Sequence, residues 1–387
     1  MRNKHFSTRA IHVGNHPDKE TGAVTSPLHF SSTFKQDGVG VHRGFDYARA
    51  GNPSRERFEK NISSLEGAKY GIAFSSGMAA ITALFQTMNK GDHALIGRNV
   101  YGGTYRLVTQ LLANQGYEFD FIDPRSLNEV ELSIKPNTKW IFAETPTNPL
   151  LELCDIEALS NLSKSMGVQL AIDNTFMSPY GQNPISLGAD VVMHSATKFI
   201  GGHSDLIAGV LITDDSSIAE KLYFIQKSGG AILSPFDSWM LLRSTKTLAL
   251  RFQRHSDNAM ILAQKLQEFS KVKSVIYPGL SSHSQHYLAA TQQKNPLGES
   301  IYGSMISFEC ETFKAREDFL DKTRLFTLAE SLGGVESLVC IPFEMTHASV
   351  PSEIKKSMNI LPNLVRLSVG IEFIEDLIND LVQALGE

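Results

Sequence analysis

A lysine, an aspartate and a serine–glycine turn each follow a short apolar run of this 387-residue chain. Lys198 follows VVMHSAT, Asp173 ends QLAID, and Ser75, Ser76 and Gly77 separate YGIAF from an apolar helical pattern. Each run has the length of a buried strand, and ligands of open α/β sheets bind beyond the carboxyl ends of the strands. These residues are therefore the first candidates for a binding site.

The three features suit three different parts of one ligand. Partial burial lowers the pKa of a lysine, which prepares its amine to form a Schiff base. An aspartate at a neighbouring strand end could keep a pyridine nitrogen protonated, and a helix N-terminus favours a phosphate. Taken singly, an ion pair between Lys198 and Asp173 and a plain helix cap at Ser76 are the simpler interpretations. Together, the three features supply the amine, the acid and the anion site that pyridoxal 5'-phosphate (PLP) requires.

Apolar runs alternate with helical patterns between about residue 57 and residue 250. Among them are YGIAF (70–74), HALIG (93–97), KWIFAE (139–144), QLAIDN (169–174), DVVMHS (190–195) and AGVLIT (208–213). Runs of this length between helices indicate parallel strands that are buried on both faces of a doubly wound sheet. The sequence therefore predicts an α/β fold with its main site at the carboxyl edge of this sheet.

The patterns divide the chain into three segments. Residues 1–52 are rich in Gly, His, Ser, Thr and Arg and show little periodicity, which favours an extended arm that reaches across a subunit interface. Residues 53–250 carry the predicted sheet. Residues 251–387 begin with a long amphipathic helix, continue with the strand-like runs SMISFEC and LVRLSV, and end in a helix that reaches Glu387. This last pattern indicates a smaller α+β domain.

The composition of the chain argues against nucleic acid and membranes as binding partners. With 42% apolar and 20% charged residues and a net charge of −5, the chain has no electrostatic footprint for nucleic acid or an anionic membrane. The first residues lack the apolar core of a signal peptide and no run approaches a membrane span, so we expect a cytoplasmic protein with small-molecule partners. Cys154, Cys310 and Cys340 form neither a disulfide framework nor a CxxC pattern, and we expect no metal.

Nine spaced blocks over nearly the whole chain resemble the Cys/Met-metabolism family of PLP-dependent enzymes, which contains cystathionine γ-synthase, the cystathionine β- and γ-lyases and methionine γ-lyase. The blocks are FDYARAGNPSR (45–55), SSGMAA (75–80), VYGGTYRL (100–107), ETPTNPLL (144–151), DNTFMSPY (173–180), SLGADVVMHSATKFIGGHSD (186–205), FTLAESLGGVESL (326–338), MTHAS (345–349) and LVRLSVGIE (364–372). The resemblance implies the aspartate-aminotransferase-like fold type I, with a mostly parallel seven-stranded sheet and a smaller C-terminal α+β domain.

The resemblance assigns the cofactor contacts residue by residue. Lys198 resembles the Schiff-base lysine, which also moves protons between the substrate Cα and neighbouring atoms. Asp173 resembles the aspartate that pairs with the pyridine nitrogen. Tyr101, implied as a catalytic residue, stacks on the ring. The resemblance implies that the phosphate is held by the amides of Gly77 and Met78, by the hydroxyls of Ser195 and Thr197, and by Tyr47 and Arg49 of the neighbouring subunit. An active site shared in this way implies a homotetramer built as a dimer of dimers.

The substrate contacts follow in the same way. Arg366 resembles the residue that binds the α-carboxylate, which suits the two parallel donors of a guanidinium. Strand alternation places Leu364, Arg366 and Ser368 on one face of LVRLSVG, and a solvent-exposed arginine is the alternative there. Asn148 and Ser337 are implied near the carboxylate and the lysine. Asp46 and Glu336 resemble the acids that face the distal ammonium of cystathionine, although Asp46 is one methylene shorter than the more frequent Glu.

The reaction within the family follows from fewer residues. Methionine γ-lyases carry a cysteine where this chain has Gly103, so that activity loses support. The C-terminal blocks are most similar to γ-lyases and to bacterial enzymes that cleave cystathionine on either side. We therefore expect a lyase that cleaves cystathionine by β-elimination, γ-elimination or both. The alternatives are cystathionine γ-synthase, which joins an O-acylhomoserine to cysteine, and a non-catalytic binding protein on the same fold.

Overall fold

The computed structural model describes residues 4–348 and 350–386. Ser349 of the MTHAS block and the predicted helix end at Glu387 lie outside these ranges. The N-terminal segment contains α1 (Phe6–His12) and a ribbon of β1 (Gln36–Gly38) and β2 (Val41–His42). Phe6 and Ala10 of α1 are buried in the large core, so the start of the predicted arm belongs to that core instead of being extended. The rest of the arm, up to residue 51, is mostly exposed.

A seven-stranded sheet forms the centre of the large domain, as predicted. Its strands are β3 (Tyr70–Phe74), β4 (His93–Gly97), β5 (Glu118–Ile122), β6 (Thr138–Glu144), β7 (Gln169–Asp173), β8 (Val191–His194) and β9 (Gly209–Thr213). The spatial order is β3-β9-β8-β7-β6-β4-β5. Every neighbouring pair is parallel except those that β9 makes with β3 and β8. The carboxyl ends of β6, β7 and β8 therefore lie side by side.

Two strands differ from the sequence prediction. The run at 208–213 was expected to be parallel, but β9 is antiparallel to both of its neighbours. Residues 195–208, which connect β8 to β9, contain no helix, so the chain returns beside the strand that it has just left. β5 is not one of the six apolar runs named from the sequence, because it lies at the sheet edge and only its last residue, Ile122, is buried.

Helices cover both faces of this sheet. They are α2 (Pro53–Glu66), α3 (Gly77–Phe85), α4 (Gly102–Arg106), α5 (Leu127–Ser133), α6 (Ile156–Ser165), α7 (Ser178–Gly181), α8 (Ser216–Gly229) and α9 (Pro235–Thr245), with a π-helix at Leu107–Leu112 and a 3-10 turn at Ala113–Gln115. The GNP of the first block starts α2, because the Asn52 side chain accepts from the amides of Ser54 and Arg55. Among the residues that the structure describes, no helix is long and apolar enough to cross a membrane.

A second sheet lies in the C-terminal domain. Its strands are β10 (Val272–Ile276), β11 (Met305–Cys310), β12 (Thr327–Leu328), β13 (Leu338–Cys340) and β14 (Leu364–Ser368), in the spatial order β10-β11-β14-β13-β12. Its helices are α11 (His286–Gln292), α12 (Phe313–Lys322), α13 (Ser352–Ser357) and α14 (Ile374–Leu385). The pairs are antiparallel except β12 with β13. This arrangement is the predicted smaller α+β domain.

One long helix, α10 (Leu248–Leu266), joins the two domains. Leu248 and Phe252 pack in the core of the large domain, while Ala259 and Leu262 pack against the small sheet. The boundary predicted between residues 250 and 251 therefore falls inside this helix and not in a linker.

The first residue of β9 touches the turn between β3 and α3. A Cβ atom built on Gly209 would lie 2.2 Å from the carbonyl oxygen of Ser76 and 2.7 Å from the Cα of Gly77. Only a glycine lets the two backbones approach this closely. The contact fixes the start of α3, where the sequence predicts a phosphate site.

We expect Gly209→Ala to lower the free energy of unfolding by about 1–3 kcal/mol, because the added methyl forces the β3–α3 turn away from β9. Gly229→Ala is the matched control, since a Cβ there meets nothing within 4 Å. Urea unfolding of both variants measures the difference. Equal stabilities would show that the turn moves freely and does not depend on Gly209.

Candidate active site

A cavity of about 1410 Å³ lies beyond the carboxyl ends of β6, β7 and β8 and is lined by both domains. The lining includes Gly77, Met78, Tyr101, Gly103, Glu144, Asn148, Asp173, Thr175, Ser195, Thr197 and Lys198 from the large domain and Glu330, Ser331, Glu336 and Arg366 from the small one. The sequence predicted the site at this edge of the sheet.

Lys198 lies in the turn that follows β8. Its Nζ donates to the Ser331 hydroxyl at 2.7 Å, across the boundary between the domains. Burial, and secondarily the Arg366 guanidinium, lowers the pKa of the Lys198 amine to about 8, against a smaller opposing effect of Glu330. An amine with this pKa is a better nucleophile and base near neutral pH than an exposed lysine.

Arg251 of α10 fixes the turn that carries Lys198. Its Nη1 donates to the carbonyl of Phe199 at 2.7 Å, and its Nη2 donates to the carbonyls of Ile200 and Ser244 at 3.3 and 3.0 Å. The turn has left-handed backbone at Gly202, where a Cβ would overlap this guanidinium. The lysine is thus held at both ends, by Arg251 on its backbone and by Ser331 on its amine.

Two buried carboxyl groups stand at the ends of neighbouring strands. Asp173 of β7 accepts from the Thr175 amide at 3.0 Å and is in register with Glu144 of β6. Burial raises the pKa of Asp173, and burial together with the Asp173 charge raises that of Glu144. A protonated ring nitrogen beside Asp173 would offset the cost of keeping this carboxylate ionised.

The start of α3 offers an anion site next to Lys198. Ser76 caps the helix by accepting from Ala79, so the plain-cap interpretation is correct for its side chain. The amides of Gly77 and Met78, however, have no carbonyl one turn earlier to bond. Gly77 leaves room beside Ser195, because a Cβ there would lie 3.1 Å from the Ser195 Oγ. The Thr197 hydroxyl also lines the cavity and donates to the Ala208 carbonyl at 3.2 Å.

Tyr101 stands at the mouth of the cavity, at the start of α4. The residue is 42% exposed, and its amide donates to Glu144 at 2.9 Å. A Cβ on Gly103 would lie 2.4 Å from a Tyr101 ring carbon. A cysteine at position 103 would collide with the ring as it lies here, so the glycine is compatible with this position of Tyr101 beside the cavity.

Arg366 is buried at the floor of the cavity, so the solvent-exposed alternative is wrong. Its Nη1 donates to the Asn148 side-chain oxygen and its Nη2 to the Ser331 carbonyl, both at 2.9 Å. Its Nε is buried without a hydrogen-bond partner. A donor left in this state favours a ligand that supplies an acceptor, and a carboxylate fits a guanidinium best.

Some predicted residues lie elsewhere. Ser337 is outside the cavity, where its hydroxyl donates to Glu372 at 2.9 Å. Ser331, six residues earlier in the same block, holds the position beside Lys198 and Arg366 that was expected of Ser337. Glu336 does line the cavity, and it accepts a hydrogen bond from Ser204.

The three arm residues do not line the cavity of their own protomer. The Asp46 side chain is exposed and accepts from the Tyr47 amide at 2.7 Å. The Arg49 guanidinium lies 5.4 Å from the centre of the Tyr47 ring and donates to the Lys227 carbonyl at 2.6 Å. All three residues are exposed to solvent in this chain.

The polar lining residues that the sequence did not single out include Glu144, Thr175, Glu330 and Ser331. Glu144 ends the apolar run KWIFAE, so the strand-end rule that selected Asp173 would have found it. Ser331 has a left-handed backbone with φ of 86°, which is rare for a residue other than glycine and is not visible in the sequence.

The lining residues fit PLP, which needs an amine, an acid for its nitrogen, an anion site for its phosphate and a face for its ring. Lys198, Asp173, the start of α3 and Tyr101 would supply these in turn. Among the described residues, no cluster of His, Cys, Asp or Glu could hold a metal ion.

Comparison with known proteins agrees with this assignment. The sequence profile for "Cys/Met metabolism PLP-dependent enzyme" matches residues 7–386. A cystathionine γ-lyase of Bacillus subtilis is 47% identical to this chain, and the match covers 98% of both chains. A cystathionine β-lyase of Lactococcus lactis is 46% identical, again over 98% of both chains. A cystathionine γ-synthase of Mycobacterium tuberculosis is 46% identical over 98% of this chain and 96% of its own length.

Solved structures agree as well. The crystal structure of cystathionine γ-lyase from Lactobacillus plantarum, complexed with L-serine, has a TM-score of 0.95 and 42% identity over 98% of both chains. The predicted fold type and the PLP cofactor are thereby confirmed. The chain belongs to the Cys/Met metabolism family of PLP-dependent enzymes.

Proposed function

We propose that the protein cleaves a carbon–sulfur bond of cystathionine by elimination, on the β side, the γ side or both. One observation carries the proposal: Ser331 connects a lysine amine of lowered pKa to a buried arginine with an unpaired donor. An amino acid whose carboxylate binds Arg366 would therefore have its Cα beside Lys198. PLP bound there supplies an electron sink for the negative charge that develops at Cα.

Lys198 would be the base that removes the Cα proton. Its pKa of about 8 leaves part of the amine unprotonated near neutral pH, which a general base requires. The hydrogen bond to the Ser331 hydroxyl would position the Lys198 amine before it moves to the substrate. γ-Elimination also requires a proton to leave Cβ, and the same amine can reach both carbons if it leaves Ser331.

The distal end of cystathionine carries a second ammonium group, which needs an acid. Glu330 is exposed on the cavity wall and acts electrostatically on Lys198, whereas Glu336 is already bonded to Ser204. We therefore add Glu330 to the predicted pair of Glu336 and Asp46 as a distal contact. Asp46 would come from the neighbouring subunit.

We further propose a homotetramer, built as a dimer of dimers, in which Tyr47 and Arg49 complete the phosphate site of the adjacent subunit. Their position outside their own cavity supports this exchange. The exposed apolar side chains of the arm, Val24, Phe30 and Val39, also suit a covering second copy. We place the protein in the cytoplasm, which free, buried cysteines favour.

Cystathionine γ-synthase is the second candidate. The γ-synthase relative is about as similar to this chain as the lyases are. A cavity of about 1410 Å³ is also large enough for an amino acid and a second, attacking substrate. Lys198 and Arg366 would have the same roles in both reactions, so product analysis has to separate them.

Incubation with cystathionine should release pyruvate with homocysteine if cleavage is on the β side, or 2-oxobutyrate with cysteine if it is on the γ side. Lys198→Ala should lower turnover by about 10²–10⁴-fold, because the proton at Cα loses its base. Circular dichroism serves as the control for the fold of that variant. Product only when an O-acylhomoserine and cysteine are supplied would instead identify a synthase.

The cofactor-free protein should be trapped by PLP and borohydride at a rate that rises with pH with a midpoint near pH 8, because only the neutral Lys198 amine attacks an aldehyde. The midpoint for an ordinary lysine would be at about pH 10.4. Arg366→Met removes a positive charge that disfavours the protonated amine, so its midpoint should move to higher pH. A midpoint near 10 for the unaltered protein would contradict the lowered pKa.

Mixed oligomers test the shared site. Arg49→Ala and Lys198→Ala proteins, each inactive alone, should regain about half the turnover of the unaltered dimer when co-assembled with different tags, because one of the two sites is then intact. Asp173→Asn paired with Lys198→Ala is the control, since both changes lie in the pocket and neither site is complete. Tagged hybrids that stay inactive would refute the exchange of Arg49.

A further inference from the structure

A buried ion pair lies under the arm, away from the cavity. Arg55 and Glu59 are one turn apart on α2, are 2% and 8% exposed, and approach to 3.7 Å between Arg55 Nε and Glu59 Oε1. Neither residue lines the cavity of this protomer. Burial of two charges is costly, so a pair that is retained inside a protein needs an explanation beyond stability.

The guanidinium of Arg55 holds the backbone of the arm. Its Nη1 donates to the carbonyl of Ala48 at 2.9 Å, and its Nη2 to the carbonyl of Arg49 at 3.4 Å. These carbonyls directly follow Tyr47 in the chain. Arg55 therefore fixes the short segment from which the Tyr47 and Arg49 side chains project.

Glu59 connects this anchor to the large sheet. Its Oε1 accepts from the amide of Ala73 in β3 at 2.9 Å and from Gln226 Nε2 at 3.4 Å. Gln226 precedes Lys227, whose carbonyl accepts from Arg49. Burial raises the pKa of Glu59 to about 7, and Arg55 opposes that increase. Through Arg55 and Glu59, the arm is thus hydrogen-bonded to β3, the strand that precedes the predicted phosphate site of its own subunit.

We propose that Arg55 is a positioning residue that presents Tyr47 and Arg49 to the active site of the neighbouring subunit. This inference rests on the proposed shared site. Its particular consequence is that a change at Arg55 harms the site of the partner and leaves the pocket of its own subunit intact. A lysine could pair with Glu59, but it lacks the planar set of donors that reaches two carbonyls as well.

The test uses the double variant Arg55→Met with Glu59→Gln, which removes both charges and so leaves no uncompensated buried carboxylate. As a homo-oligomer it should bind PLP about tenfold more weakly or worse and lose turnover in proportion, because the phosphate contacts of the arm are misplaced. The matched control is Lys60→Met with Glu56→Gln, an exposed ion pair at the same spacing on α2. That control should keep both properties.

Co-assembly with Lys198→Ala decides the direction of the effect. The Lys198→Ala subunit has an intact Arg55 and arm, so it should restore turnover in the pocket of the Arg55→Met/Glu59→Gln subunit. The pairs Arg49→Ala with Lys198→Ala and Asp173→Asn with Lys198→Ala are run beside it. The first should recover and the second should not.

Recovery of the Arg55 hybrid supports the inference. A hybrid that stays inactive while the Arg49 pair recovers would overturn it, because Arg55 would then act on its own pocket. If the Arg49 pair also stays inactive, the shared site itself is wrong and the inference is overturned with it. Should the double variant fail to assemble, the same pairing with Arg55→Lys gives the decision. Unchanged cofactor affinity and turnover in the homo-oligomer would also overturn it.

Discussion

The positive charge of Arg366 is buried where the two domains meet, and the geometry of the site depends on it. The guanidinium donates to Asn148 of the large domain and to the Ser331 carbonyl of the small one. After burial, it is the second cause that lowers the pKa of Lys198. In the proposed function, a substrate carboxylate bound to Arg366 would neutralise this charge. The basicity of Lys198 would then rise as the substrate binds, because the neighbouring cation would no longer disfavour the protonated amine.

Much of this arrangement could be predicted from sequence, for a definite reason. Lys198, Asp173 and Gly77 follow apolar runs, and strand ends in a sheet of this type meet at one edge. The direction of β9 could not be predicted, because a strand that is buried on both faces gives the same apolar run in either direction. β5 was missed since its outer position removes the continuous apolar pattern.

The choice between Ser331 and Ser337 shows where pattern reasoning stops. Both serines stand in AESLGGVESL, and nothing in their types or spacing separates them. The left-handed backbone of Ser331 turns its hydroxyl to Lys198 and its carbonyl to Arg366, while Ser337 bonds Glu372. That difference depends on the path of the chain in three dimensions. The burial of Arg366 was equally undecided by alternation on β14 alone.

The continuous helix α10 limits how this enzyme can admit a substrate. Nineteen residues give a rod of about 28 Å, and its two halves are packed in different cores. A rotation of one domain relative to the other would require this helix to bend between Phe252 and Ala259. Arg251 lies in the half that packs in the large domain, so its hydrogen bonds to the Lys198 turn would be kept. Substrate entry by rearrangement of side chains and surface segments around the cavity would leave α10 straight, which makes it the less costly route.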